Sequence, residues 1–161
     1  MAATTPAATG ARPAGQRRIP PAGGPAAAAA LPAAPAVVGS LSIAGRTSNV
    51  AEARAFVART LGQHHPGVDV AVLLCSELVT NAVVHSDSGQ PGGTVTVVVL
   101  SLAGAVRVEV IDNGSATSTP IVKSEVYEPD GHGLFLVEQL ASSWGYDQDE
   151  VGTTVWFRLA G

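Results

Sequence analysis

The stretch SELVTNAVVHS, Ser76–Ser86, most constrains what this chain can fold into. Its flank VAVLLC and its own aliphatic residues read as a core helix, yet Glu77, Asn81 and His85 recur at every fourth position. At about 100° per residue, Glu77 and Asn81 stand only about 40° apart, on the side shared by Val70, Leu73, Leu74 and Val84. Two polar groups therefore interrupt a stripe that faces the core. An amide buried without a partner costs roughly 1–3 kcal/mol, and an isolated carboxylate far more. Either the pair is satisfied within the core or on a wetter face, or it floors a site. In a site, the carboxylate can act as general base or orient water, and the amide oxygen is a hard ligand for Mg²⁺. His85 falls near the helix end, where an imidazole is commonly a partner of the helix dipole.

What surrounds this helix sets the frame. Residues 1–38 are rich in Ala, Pro, Gly and Thr and poor in aliphatic side chains, so they cannot bury enough apolar surface to offset their ordering entropy. A disordered tail over 1–38 and one folded domain over 39–161 are expected, the latter about 120 residues long. Arg17-Arg18 before an Ala-rich stretch resembles a twin-arginine export signal. Five prolines between Pro20 and Pro35 break that stretch, which favours a cytoplasmic tail. No apolar run was expected to reach the roughly 18 residues of a membrane span. The formal net charge of −4, without a basic block, argues against nucleic acid as a partner. Cys75 is the only cysteine, which excludes an internal disulfide and a cysteine-based zinc cluster. It sits in an apolar run and reads as a buried thiol.

VVGSLSIAG reads as a first strand. A helix capped by Asn49 or Ser48 runs through VAEARAFVARTLG, with Ala51, Ala55, Phe56, Val57, Ala58 and Leu61 toward the core. Asp69 is placed as the cap of the long helix. TVTVVVL and AVRVEVID form a hairpin around Ala103-Gly104. A polar loop then leads to GHGLFLVEQLASSWG, read as a helix ending at Trp144, and one or two strands follow, of which TTVWFRL closes the chain. Trp144 and Trp156 are assigned to core or sheet-face packing. This order predicts an α/β (α+β) two-layer sandwich: a mixed, largely antiparallel sheet with helices on one face. A doubly wound fold would alternate strand and helix more regularly and takes second place.

Two further segments carry chemistry. VEVID ends in Asp112-Asn113-Gly114, an acidic strand end that suits either a plain turn or a hydrogen bond from an exocyclic amine. Gly131-His132-Gly133 stands directly before a helix, whose first N–H groups are unpaired and attract anions. A simple loop-to-helix junction would look the same.

Taken in order, ELVTNAVVH, VIDNG, GHGLFLVEQLA and GTTVWF resemble the Bergerat ATP-binding fold of the GHKL superfamily. The nearest likeness is to bacterial anti-sigma-factor serine kinases and related ATP-binding regulators of actinobacterial type. The resemblance spans about Leu41 to Leu159. It implies that Asn81 coordinates Mg²⁺ on the nucleotide phosphates and that Glu77 is the general base for a substrate serine. His85 closes the same box and is counted with the nucleotide-binding residues. Asp112 would then recognise the adenine amine, with Gly114 against the base. Gly131, His132, Gly133 and Leu134 would hold phosphates, Thr154 would support adenine, and Ser115–Asp130 would be an ATP lid. The implied cofactors are ATP and Mg²⁺. The implied partners are a sigma factor and an anti-anti-sigma antagonist protein, with a homodimer through the sheet and N-terminal region, and neither nucleic acid nor membrane.

The chain departs from the family pattern at two places. Ala116 stands where a second glycine is usual, and His132 where arginine is common, so the permanent charge of a guanidinium is missing there. An alternative is therefore a catalytically weak or inactive ATP-binding or protein-binding module. A detached sensor histidine kinase is disfavoured, because His64-His65 precede Pro66 without helical context. Ring-type ATPases of the superfamily are much longer.

Overall fold

The computed structural model describes residues 34–115 and 132–161. The described elements run β1 (Ala36–Ala44), α1 (Val50–Leu61), α2 (Val68–His85), β2 (Thr94–Leu102), β3 (Ala105–Asp112), α3 (His132–Leu140), β4 (Ser143–Gln148) and β5 (Thr153–Ala160). Short 3-10 turns at Thr47–Asn49 and Asp87–Gly89 lead into α1 and out of α2. The strands form one sheet in the order β1-β2-β3-β5-β4, with every pairing antiparallel.

Alternation explains the sheet. Val95, Val97 and Val99 on β2, Val106, Val108 and Val110 on β3, and Val155, Phe157 and Leu159 on β5 point to one side and are buried. They form a single cluster with Ala53 and Val57 of α1, the buried residues of α2, and Leu134 and Val137 of α3. All three helices thus cover the same face, as the two-layer architecture requires. The other face carries Ser42 and Thr96, whose hydroxyls meet at 3.0 Å, and Arg107 stacked 4.1 Å from the Trp156 ring centre. Arg107 Nε lies 2.7 Å from Glu109 Oε1 but out of line for a hydrogen bond, so the contact is an ion pair alone.

Several expectations are corrected. The sheet is wholly antiparallel, not mixed. β1 begins at Ala36, three residues inside the segment assigned to the tail. α2 begins at Val68 after Gly67, so Asp69 lies within the first turn and is not the cap. There its charge complements the helix dipole. Asn49 precedes α1 but makes no side-chain cap hydrogen bond. On α1 only Ala53 and Val57 are fully buried, while Ala51 and Ala55 face solvent. The last helix stops at Leu140, and Trp144 belongs not to it but to β4, the first of two closing strands, from which it packs on the core. SWGYDQ offers little apolar alternation and no β-branched residue; its pairing with β5 makes it a strand.

α2 is also wetter on one side than its composition suggests. Its buried side is Ala71, Leu74, Cys75, Leu78, Val79 and Ala82, whereas Leu73 and Val84 are 41% and 56% exposed. Glu77 and Asn81 are half-buried on the shoulder between. By length and mean hydropathy of 1.5, α2 could cross a membrane, contrary to expectation. Its six buried residues at the centre of the core explain that composition instead.

Candidate functional site

The first turn of α3 meets the half-buried shoulder of α2 that carries Glu77 and Asn81. The approach is so close that a β-carbon on Gly133 would stand 2.7 Å from Asn81 Nδ2, 3.1 Å from Glu77 Cβ and 3.3 Å from Glu77 Oε2. Only a residue without a side chain fits there at no cost. Leu134 and Val137 are buried in the core and hold α3 in this position. The first turn of α3, whose N–H groups have no partner within the helix, therefore begins beside a carboxylate and an amide on α2. His132 opens α3, while Gly131, Ala116 and the rest of the expected lid up to Asp130 lie outside the described residues.

Asp112 is the last residue of β3, the central strand, on the face that the helices cover. Its Oδ1 accepts the Gly114 N–H at 2.6 Å. Burial pushes its carboxyl above the ordinary carboxylate range, and the charge of Asp87 adds to the rise. The backbone N–H groups of Gly114 and Thr153 act in the opposite direction. Gly114 has φ +72°, a left-handed conformation that suits glycine, and packs on Gly152.

Glu77, Asn81 and Gly133 come together. Leu134 turns its side chain into the core, so only its backbone can face an anion. His85 is the last residue of α2 and is exposed. Thr154 lies on the far side of the sheet, opposite Ile111; it is Thr153, buried and paired with Asp112, that shares the face of the site. GTT leaves the strand phase open by one residue, and one residue flips the face. Ser88, fully buried, was also missed; nothing in a serine within SDSG distinguishes it from an ordinary turn residue. His65 Nδ1 accepts the Gly67 N–H at 3.1 Å, a turn contact consistent with the loop assigned to it.

Residues 43–159 match the family described as histidine kinase-like ATPase domain. The chain belongs to that family. It is similar to the serine-protein kinase RsbW of Listeria monocytogenes serovar 1/2a, at 30% identity over 68% of this chain and 71% of that protein. The RsbW of serotype 4a of the same species is 31% identical over the same shares. Among solved structures, that of the RsbU and RsbW domains of Rv1364c from Mycobacterium tuberculosis superposes with a TM-score of 0.55 and 26% identity. That likeness covers 76% of this chain and 32% of the solved chain, so this chain spans about a third of that protein. The GHKL reading is confirmed, and with it an ATP-binding domain.

The residues of this histidine kinase-like ATPase domain also suit a Mg–nucleotide. Among the described residues no three His, Cys, Asp or Glu side chains converge as a metal cage. Mg²⁺ needs none when phosphates and water complete its shell, and one amide oxygen beside a carboxylate is a sufficient protein share.

Proposed function

We propose that the chain is an ATP- and Mg²⁺-dependent protein serine/threonine kinase of the anti-sigma type. Its substrate in this reading is a serine or threonine of a small antagonist protein, and it also sequesters a sigma factor. The observation that carries the reading is the packing of Gly133 against Asn81 and Glu77, which sets a proton acceptor, a hard oxygen donor and a helix N-terminus side by side. Glu77 takes the proton of the substrate hydroxyl as its oxygen bonds to the γ-phosphorus, and the bond to the β-phosphate oxygen breaks, leaving ADP. Asn81 would hold Mg²⁺, which neutralises phosphate charge when bound. The first N–H groups of α3 orient the phosphates. Asp112, with Thr153 and Gly114, would receive adenine. A homodimer through the open sheet face and a cytoplasmic location complete the proposal.

The relatives' name as serine-protein kinases supports this assignment, and the retained Glu77 favours it over a module that only binds ATP or protein. Ala116 in place of a glycine favours that second reading. Incubation with labelled ATP, Mg²⁺ and the cognate antagonist separates them. Label on the antagonist, lost with Glu77→Gln, is the expected result. Tight ATP binding with no label transferred would leave the binding module.

A further inference from the structure

Ser88 is a polar residue with no exposed surface, at the centre of the 3-10 turn that follows α2. Its hydroxyl accepts the backbone N–H of Asn113 at 2.8 Å and donates to the carbonyl of Thr94 at 2.7 Å. Asn113 Oδ1 lies 3.3 Å from the same hydroxyl and accepts the Thr94 N–H at 2.8 Å. The turn itself is held from α2: Ser86 Oγ donates to the Ala82 carbonyl at 2.6 Å and accepts the Ser88 N–H at 3.1 Å. The next bond runs the same way, from the Asp87 N–H to the Gly114 carbonyl at 2.7 Å. β-Carbons on Gly45 or Gly93 would collide with the Ser88 carbonyl, so the turn is packed without slack.

These bonds are not scattered. They end on Asn113 and Gly114, the two residues directly after Asp112, and Gly114 in turn donates to the Asp112 carboxylate at 2.6 Å. They begin on α2, the helix that carries Glu77 and Asn81. A buried serine needed only to satisfy its own hydroxyl could do so with any carbonyl nearby. Here it joins the helix of the phosphate end of the site to the strand end of the base end. Two backbone donors on Asp112 still leave acceptor capacity for an exocyclic amine.

We propose that Ser88 is a positioning residue for base recognition: its buried hydroxyl fixes Asn113 and Gly114, and through them the Asp112 carboxylate, in register with Glu77 and Asn81. The proposal rests on the ATP-binding reading and deepens it. The ligand feature it controls is the amine at C6 of adenine, and the control acts through Asp112.

The test compares ATP with inosine triphosphate, which carries a carbonyl in place of that amine, by calorimetry on the full chain. The wild type, Ser88→Ala, Asp112→Asn and the double variant are titrated, with melting temperatures measured alongside. Ser88→Cys, of similar volume but much weaker hydrogen bonding, serves if the alanine variant does not fold. Wild type is expected to prefer ATP. Ser88→Ala should cut that preference about tenfold, mostly by weakening ATP, the scale of one hydrogen bond to a charged group. In the Asp112→Asn background it should change the preference no further. A folded Ser88 variant that keeps the wild-type preference, or weakens both nucleotides equally, overturns the positioning role while ATP binding stands. A wild type that binds neither nucleotide overturns the ATP reading and this inference with it.

Discussion

Thr153 stands directly opposite Asp112 in the β3–β5 pairing and is buried, whereas its neighbour Thr154 projects from the other face of the sheet. Thr153→Val, which trades the hydroxyl for a methyl of the same shape, is expected to weaken ATP by several-fold to about tenfold. Thr154→Val should stay within about 0.5 kcal/mol of wild type in both binding and stability. Calorimetric titration of both variants checks the pair, and the reverse ranking would reassign the adenine contact.

Gly133→Ala tests the seam between α3 and α2. Alanine is the better helix former, so the helix itself does not suffer. Its methyl, however, would press on Asn81 Nδ2 and Glu77. The expected outcome is a melting temperature unchanged or lowered by a few degrees, because the crowding offsets the helix gain, with phosphotransfer reduced at least about tenfold, since small misplacements of reacting groups are costly. Wild-type turnover would mean the seam can open without effect.

Asp112 gives a pH dependence with a definite sign. Its pKa is raised above the ordinary 3.8 by burial, so the folded chain binds this proton more tightly than the unfolded chain does. The contribution to stability is fully present below the unfolded pKa and is lost as pH rises through the folded one. Asp112→Asn should therefore raise the melting temperature at neutral pH, by about 1–3 °C, and flatten its fall across that acidic window. ATP affinity should be largely lost. Melting scans at a series of pH values read the first two effects; an Asn variant that melts lower at neutral pH contradicts the assignment.

Cys75 is fully buried, and burial pushes its thiol up to about 12. The native protein should resist iodoacetamide at mildly alkaline pH and react fully in denaturant. Rapid native labelling, read by mass spectrometry, would show that the core around α2 opens readily.

Among the described residues Phe157 is the largest fully buried side chain, on the strand between β3 and β4. Phe157→Ala should cost about 3–5 kcal/mol, measured by urea unfolding.

What was legible in the chain was local. The periodicity of α2, the valine alternation of β2 and β3, the hairpin at Ala103-Gly104 and the helix opening around Gly133 each depend on neighbours in sequence, and each appears in the fold. Glu77 and Asn81 were visible because two polar residues at helical spacing are out of place among aliphatics. The error there was one of degree: the stripe sits on the shoulder of the core, because the buried side of α2 centres on Ala71, Cys75, Leu78 and Ala82.

By itself, then, the sequence determined the helices, the central hairpin, the single-faced core and the polar pair on α2. Tertiary structure decided the rest. β4 exists because β5 lends SWGYDQ its hydrogen-bond partners. Thr153 displaces Thr154 because cross-strand register, which repeats every second residue, selects the face. Ser88 is enclosed because the turn after α2, the start of β2 and the residue after β3 meet around one hydroxyl. Local pattern records which side chains prefer burial; only the packing of distant strands and helices determines which atoms end up beside one another.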